Sequence, residues 1–227
     1  MVVKIMEIKN RYFEQKLKGI YMNKILRQKQ IDTLYHFTRT ENLENIFRYG
    51  LIPRDILDTR RIKSSYNDEY RYDDCIDAVC TSIEFPNYKM FYKLRQDNLE
   101  TDWVVLKLNA NILCDFECAY CWTNAGDASI YTVPIEERMG IDAFLELFGD
   151  REGYPKREDL HINDWYPTNP QAEVLVFGTI STEYISAVYF ENHRDKNKYL
   201  DLIPISIPAG VNSKVFCPRD DWQAWRN

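Results

Sequence analysis

The chain has no run approaching the roughly 18 consecutive apolar residues of a membrane-spanning helix. Its N-terminus has neither an apolar h-region nor a small-residue cleavage site. We therefore expect no transmembrane helix and no secretory signal, and we expect the protein to be cytoplasmic. The sequence also contains no internal repeats and no low-complexity tracts. Its 227 residues are enough for one large domain with a real core.

Six cysteines in a chain without a secretory signal indicate reduced thiols. Three of them, Cys114, Cys118 and Cys121, have the spacing of radical-SAM enzymes, which hold a [4Fe–4S] cluster. The motif lies in mid-chain, however, and no Gly-Gly-Glu segment follows it. A zinc site would need a fourth ligand from the group Cys75, Cys80 and His161, at spacings that common zinc modules do not use. We interpret these cysteines as structural and expect no metal.

The charge is unevenly distributed along the chain. Residues 1–30 contain eight basic and two acidic residues, a net charge of +6, so the remainder carries −12 of the total −6. We predict a basic N-terminal helix over residues 1–30 and a domain over 31–227. The acidic domain is not a general nucleic-acid binder, whereas the basic helix either meets phosphates or is a solvated face.

Hydrophobic periodicity predicts an α+β fold. Helical spacing occurs over 4–28, 87–95 and 134–148, and β-favouring runs occur over 34–37, 78–83, 103–108, 173–177, 185–190 and 214–217. Strands and helices do not alternate strictly, which favours a mixed, largely antiparallel sheet with surrounding helices. We interpret residues 51–75, 111–132 and 149–171 as long irregular segments. Irregular loops of this length within a compact domain are usually functional or disordered.

A set of polar residues within residues 34–51 is a candidate functional feature. The strand at 34–37 is followed by Thr40, a good N-cap, and by a short amphipathic helix that Gly50 would end in the left-handed conformation. The polar side chains left at the strand end are those of His36, Thr38 and Asn42. Taken alone, a histidine in an apolar strand is more often a structural residue.

Glu173 is the second such feature, because it opens the apolar strand 173–177 directly after an irregular segment. A carboxylate there either faces a cleft or belongs to an edge strand in water. Together with His36, it completes a pattern. The chain resembles the DarT family of DNA ADP-ribosyltransferase toxins over residues 33–222. The matching blocks are Tyr35-His36-Phe37-Thr38 with Asn42-Leu43 and Gly50-Leu51, residues 85–92, residues 171–176 and residues 217–222.

This resemblance implies an ADP-ribosyltransferase fold and NAD⁺ as co-substrate. ADP-ribose would be joined to a base of single-stranded DNA, and thymidine and guanosine are both open as that base. Glu173 would be catalytic, stabilising the oxocarbenium-like centre, and His36, Thr38 and Asn42 would hold NAD⁺. The resemblance also implies a loop arginine near the phosphates and the acceptor base, for which Arg71 is the best match and Arg60 and Arg61 are rivals. The predicted catalytic residues are thus Glu173, Arg71 and His36, and Arg71 would also bind NAD⁺.

The predicted acceptor surface combines aromatic and basic residues. Tyr154, Trp165 and Tyr166 would stack on splayed bases, or else simply pack within their loop. Lys89 and Lys93 would follow the phosphate backbone. The resemblance further implies an ADP-ribosyl-hydrolase antitoxin as partner of an otherwise monomeric protein.

Two other classes of function are open. One is an NAD⁺ glycohydrolase or a protein-directed ADP-ribosyltransferase on the same fold. The other is a non-catalytic module that binds nucleic acid or a protein, with Glu173 and His36 structural.

Overall fold

The computed structural model describes residues 2–66 and 75–226, and this part of the chain contains one seven-stranded sheet in the order β4-β5-β2-β1-β3-β6-β7. Every neighbouring pair is antiparallel except β6 and β7. The prediction of an α+β fold with a mixed, largely antiparallel sheet is therefore confirmed. The strands are β1 (Thr33–Arg39), β2 (Ala78–Ile83), β3 (Trp103–Asn109), β4 (Cys118–Cys121), β5 (Glu173–Phe177), β6 (Ile185–Phe190) and β7 (Ala209–Val211).

Helices surround this sheet. The α-helices within the described residues are α1 (Val2–Lys29), α2 (Leu43–Tyr49), α3 (Arg54–Arg60), α4 (Tyr88–Asp97), α5 (Ile112–Asp115), α6 (Ala128–Tyr131), α7 (Gly140–Glu146), α8 (Arg157–Leu160) and α9 (His193–Tyr199). Short 3₁₀ helices join several of them. None of these helices, as far as the structure describes them, has the length and mean hydropathy that crossing a membrane requires.

Both faces of the sheet are covered. The main core lies on one face, where alternate strand residues such as Leu34, Leu106 and Val174 are fully buried. On the other face, α4 packs its Phe91 ring against Phe37 of β1, stacked at 4.5 Å between ring centroids. Residues of β1 and β3 thus alternate between the two faces, as the period of two of a β-strand requires.

The C-terminal half of α1 is part of the main core. Met22 and Leu26 are buried in it, and a Cβ added at Gly19 would lie 2.9 Å from the Cys114 carbonyl oxygen of α5. Glycine at this position therefore permits close packing of the two helices. The division of the chain at residue 30 stays a prediction, but this half of the basic helix is not a free arm.

Several predicted segments differ from the structure. Segments 51–75 and 149–171, predicted to be irregular, contain α3 and α8. The segment 111–132, predicted to be a loop, contains β4 at the sheet edge. The predicted strand 214–217 is wrong, because residues Ser213–Phe216 form a 3₁₀ helix. The last strand is instead β7, which has only three residues and pairs in parallel with β6.

Two helix boundaries also differ. The predicted helix 134–148 is divided into a 3₁₀ turn at Ile135–Arg138 and α7. Thr40 does not cap α2, since it begins a 3₁₀ turn and its hydroxyl donates to the Asp102 carbonyl at 3.1 Å. Gly50 ends α2 with a positive φ of 89°, as predicted, but its ψ of −177° is extended rather than left-handed helical.

Candidate active site

A cavity of about 170 Å³ lies where β1 and β2 part. The two strands form only two ladder pairs, Leu34 with Ile83 and Tyr35 with Ser82, although both strands continue beyond them. Residues from β1, β2, α2, α3 and the loop after β4 line the cavity, and so does Glu173 at the start of β5. The sequence-predicted residues His36, Thr38, Asn42 and Glu173 are thereby brought to one site.

His36 bridges the gap between the two strands. Its Nδ1 lies 2.8 Å from the Cys80 carbonyl oxygen, to which it donates as the Nδ1–H tautomer. Burial lowers the pKa of His36 below its ordinary value of 6.5, although this hydrogen bond acts in the opposite direction. The ring is therefore neutral at pH 7, and its Nε2 is an acceptor.

Thr38 and Asn42 form a linked pair with the loop that follows α3. The Asn42 amide Nδ2 donates to the Thr38 hydroxyl and to the Ser65 carbonyl, each at 2.9 Å. Its Oδ1 accepts from the Ser64 hydroxyl at 3.2 Å and from the Ser65 N–H at 2.9 Å. Asn42 lines the cavity, but these bonds occupy its amide in holding the loop against the end of β1.

Glu173 is 5 % exposed, and three donors surround its carboxylate. Oε1 accepts from Asn87 Nδ2 at 3.1 Å and from Asn124 Nδ2 at 3.2 Å, and Oε2 accepts from the Ala125 N–H at 2.8 Å. Hydrogen bonds from N–H donors stabilise the ionised carboxylate. The cleft-facing alternative for Glu173 is thus the one that the geometry supports, because an edge strand in water is excluded by its burial and by the pairing of β5 on both sides.

The sequence reasoning did not identify Asn87, Asn124 or Ala125. Asn87 follows Pro86 and is the N-cap of α4, where its Oδ1 accepts from the Met90 N–H. A capping signal was present in the sequence, but nothing in it pointed to Glu173, 86 residues away. Asn124 and Ala125 lie in the segment assigned to a cysteine-bearing loop.

The predicted loop arginines are not among the residues that the structure places at the cavity. Arg71 lies outside the described residues. Arg60 and Arg61 are exposed at the end of α3 and do not line the cavity. Arg54, which was not predicted, does line it, and its guanidinium lies 4.3 Å from the ring centroid of Tyr66.

The predicted base-stacking residues lie outside the cavity lining. Tyr154 is 45 % exposed and meets Trp122 edge-on at 4.9 Å between ring centroids. Trp165 packs against the main core, and Tyr166 lies beneath the Arg219 guanidinium at 5.4 Å. Tyr154 therefore has the most accessible ring of the three, while the other two are half-buried.

The two predicted phosphate-binding lysines differ in their surroundings. Lys89 donates from Nζ to the Trp225 carbonyl at 2.6 Å, so it fastens the C-terminal segment to α4. Lys93, on the same helix, is exposed. Lys93 is consequently the better placed of the two for a solvent-side phosphate.

The cysteine motif does not converge on one point. Cys118 lies in the main core, whereas Cys121, three residues later in β4, lies in a small cluster on the opposite face of the sheet. Burial raises the pKa of Cys118 to about 12, so its thiol stays protonated. Across the described ranges 2–66 and 75–226, no group of three or more His, Cys, Asp or Glu side chains is arranged to hold a metal ion.

Comparisons with known proteins identify the family and the fold of this chain. A family model described as "ssDNA thymidine ADP-ribosyltransferase, DarT" matches residues 35–223. A search of curated proteins gives no match. The fold is similar to that of Thermosipho africanus DarTG in complex with ADP-ribose, with a TM-score of 0.58 and 17 % identity, covering 81 % of this chain and 50 % of that one. This chain therefore spans about half the length of that relative.

Two further structures come from Thermus sp. 2.9 DarT. The complex with NAD⁺ has a TM-score of 0.53 and 14 % identity and covers 82 % of this chain and 97 % of that one. The complex with ADP-ribosylated ssDNA has a TM-score of 0.50 and 14 % identity, with coverages of 82 % and 96 %. At these identities the structures show a common fold. Because the family model covers more than four fifths of the sequence, the chain belongs to the DarT family of ssDNA thymidine ADP-ribosyltransferases.

Proposed function

We propose that this protein transfers ADP-ribose from NAD⁺ to a thymidine base in single-stranded DNA and releases nicotinamide. The observation that carries the proposal is a buried, hydrogen-bonded carboxylate, Glu173, in the same cavity as His36 and Thr38 of β1. The family description supports thymidine as the acceptor. A similar Thermus protein has been seen with NAD⁺ and with ADP-ribosylated ssDNA, which supports both substrates.

Glu173 would stabilise the charge that develops when the N-glycosidic bond breaks. Nicotinamide leaves with the bonding electron pair, and the ribose carbon becomes oxocarbenium-like. A fixed carboxylate in a cavity of low dielectric stabilises that cation more strongly than water would. A ring atom of the base then bonds to the ribose carbon, and the proton that it carried passes to solvent. Glycoside hydrolysis uses carboxylates on the same kind of centre.

His36 and Thr38 would hold the nicotinamide end of NAD⁺. His36 is neutral at pH 7 and offers an acceptor at Nε2, and the Thr38 hydroxyl lies at the strand end beside it. Asn42 would contribute by fixing the Ser64–Ser65 loop at the cavity wall. Among the arginines, Arg71 remains a candidate for the pyrophosphate, and Arg54 joins it because it lines the cavity.

Single-stranded DNA would approach over the 149–171 segment and the solvent side of α4. The exposed ring of Tyr154 would stack on a base, with Trp165 and Tyr166 supporting the same surface. Lys93 would contact a phosphate, and Lys89 would hold the underlying C-terminal segment.

Membership of the DarT family also supports a biological setting. We infer a cytoplasmic toxin, monomeric apart from an ADP-ribosyl-hydrolase antitoxin. The similarity to a DarTG chain supports such a partner.

Incubation with adenylate-labelled NAD⁺ tests the proposal. Single-stranded oligonucleotides of matched length carry either thymidine or guanosine as their only variable base. We expect label on the thymidine oligonucleotide and release of nicotinamide in equal amount. Label on guanosine alone would correct the acceptor. Free ADP-ribose without labelled DNA, or label on an added protein, would support the glycohydrolase or protein-directed alternatives, and no turnover would support a binding module.

A further inference from the structure

We propose that Asn87 and Asn124 are positioning residues which, with the Ala125 N–H, hold the Glu173 carboxylate ionised and aimed at the reacting ribose. The three donors are called the carboxylate cradle below. The proposal rests on the proposed function of Glu173 and adds to it the residues that fix its charge and direction.

The cradle and the carboxylate that it holds come from three separate parts of the fold. Asn87 is fully buried at the N-cap of α4, and it also donates its backbone N–H to the Ser82 hydroxyl of β2 at 3.2 Å. Asn124 and Ala125 come from the loop that follows β4. Glu173 opens β5, which lies between β4 and β2 in the sheet. Each donor therefore reaches the carboxylate from an element that the sheet already holds in place.

The direction of both amides is fixed by their oxygen atoms. Asn87 Oδ1 accepts from the Met90 N–H at 3.2 Å, and Asn124 Oδ1 accepts from the Gly126 N–H at 3.0 Å. Turning either amide over would place its NH₂ group against a backbone N–H and its oxygen against the carboxylate. Turning either amide would lose its hydrogen bonds to both the backbone N–H and the carboxylate, so each Nδ2 must point at Glu173.

This arrangement has a function beyond packing. An ionised carboxylate in a cavity loses the hydration that stabilises its charge, and it regains stabilisation from donors aimed at it. Both Nδ2 atoms meet Oε1, and the Ala125 N–H meets Oε2, so the plane of the carboxylate is defined as well as its charge. A preorganised anion is what an oxocarbenium-like transition state requires.

Two substitutions at Asn124 test the cradle with little risk to folding, because this side chain is only half-buried. Asn124→Ala removes one donor to a charged group. We expect the rate of ADP-ribosyl transfer to fall about ten- to a hundredfold, with the KM for NAD⁺ nearly unchanged. The acidic limb of the pH–rate profile should move to higher pH, since the ionised carboxylate is less stabilised.

Asn124→Asp should change the pH dependence of the rate in a way that would not occur if Asn124 had only a structural role. A protonated Asp donates to Glu173 as the amide does, but an ionised Asp repels it. The two carboxyl groups should titrate as a pair. Activity should persist while the pair holds one proton and decline on the alkaline side, where the wild-type rate stays level. Asn111→Asp, at an exposed position on α5's N-terminal side, is the matched control and should keep the wild-type profile.

A second readout does not depend on turnover. The protein is labelled with ¹³C at glutamate Cδ, and the Glu173 resonance is identified as the one that disappears in Glu173→Gln. Its chemical shift, followed against pH without substrate, gives the titration midpoint of Glu173. We expect a higher midpoint in Asn124→Ala and in Asn87→Ala, provided that melting curves show each variant folded. Unchanged midpoints and pH–rate profiles in folded Asn124 variants would overturn the cradle. If the wild-type protein modifies no DNA while the Asn124 and Asn87 variants still show the shifted midpoints, only the proposed function is overturned.

Discussion

Removing the Glu173 carboxylate should nearly abolish ADP-ribosyl transfer while leaving NAD⁺ binding largely intact. Glu173→Ala deletes the negative charge that the proposed mechanism places beside the reacting ribose. Glu173→Gln keeps the size of the side chain but turns an NH₂ group toward donors that face the carboxylate. Both variants leave the other cavity residues, including His36 and Thr38, unchanged.

Glu173→Ala should have two effects, one on the rate of transfer and one on stability. Loss of one preorganised electrostatic group in an active site typically costs about a hundred- to a thousandfold in rate. Glu173→Ala also leaves the buried donors Asn87 Nδ2 and Ala125 N–H without this acceptor, at roughly 1–3 kcal/mol each. Relief from burying a charge offsets part of that cost. We expect a net loss near 2 kcal/mol, hence a melting temperature about 4–8 °C lower for a chain of this length.

Three measurements separate these effects. Single-turnover transfer from labelled NAD⁺ to a thymidine oligonucleotide gives the rate, calorimetry gives NAD⁺ affinity, and thermal melting gives stability. We expect affinity within about tenfold of wild type, because the charge acts mainly on the transition state. Glu100→Ala, at an exposed position, is the control and should change none of the three. Near wild-type transfer by a folded Glu173→Ala protein would refute the catalytic assignment.

Three other predictions concern the acceptor, the backbone and pH. Duplex DNA should be modified orders of magnitude more slowly than a matched single strand, because extruding a paired base costs a few kcal/mol; equal rates would contradict this. Gly50→Ala should lower the free energy of unfolding by about 2 kcal/mol or more, because φ is +89° and the new Cβ would lie 2.5 Å from the Ile180 carbonyl oxygen. Gly153→Ala has a φ of +82° but open space, so its melting curve should shift less. Since burial keeps His36 neutral in the native state, the unfolded state takes up the proton first, and stability should fall as pH drops below 6.5, by at most about 1.4 kcal/mol per pH unit. Denaturant unfolding between pH 7 and 5 should show a shallower fall in His36→Gln than in the exposed control His193→Gln.

The sheet could be predicted from the sequence wherever local pattern and burial agree. β2, β3, β5 and β6 appear at or within one residue of the predicted runs, since each is a largely apolar segment with buried residues on both faces. β4 was missed because four residues, two of them cysteines, give too short a pattern. The predicted strand 214–217 failed for the opposite reason: Val215 and Phe216 are buried, but by a 3₁₀ turn against α4.

The site could be predicted only in part. His36 and Glu173 were chosen because their two segments together match the DarT pattern, since each residue taken alone also had a structural explanation. The structure places both at one cavity, and their roles in the reaction stay predictions. Asn87 and Asn124 were not, because their importance comes from contacts with a residue far along the chain. Lys89 is a further example, because its charge suggested contact with a DNA phosphate, whereas in the fold its Nζ donates to the Trp225 carbonyl. Sequence pattern locates elements, but the partners of a polar side chain depend on how those elements pack.

The position of β2 explains how His36 and Glu173 come to share one cavity. β2 is the common neighbour of β1 and β5. Its ladder with β1 stops after Ser82, and beyond that point the Cys80 carbonyl accepts from the His36 ring. The opposite edge of β2 stays paired with β5 up to Thr81 and Val174, one residue from Glu173. β1 and β2 can therefore part and open a cavity while β2 stays held by β5 on one edge and by the His36 ring on the other. This arrangement places the histidine and the carboxylate in the same cavity.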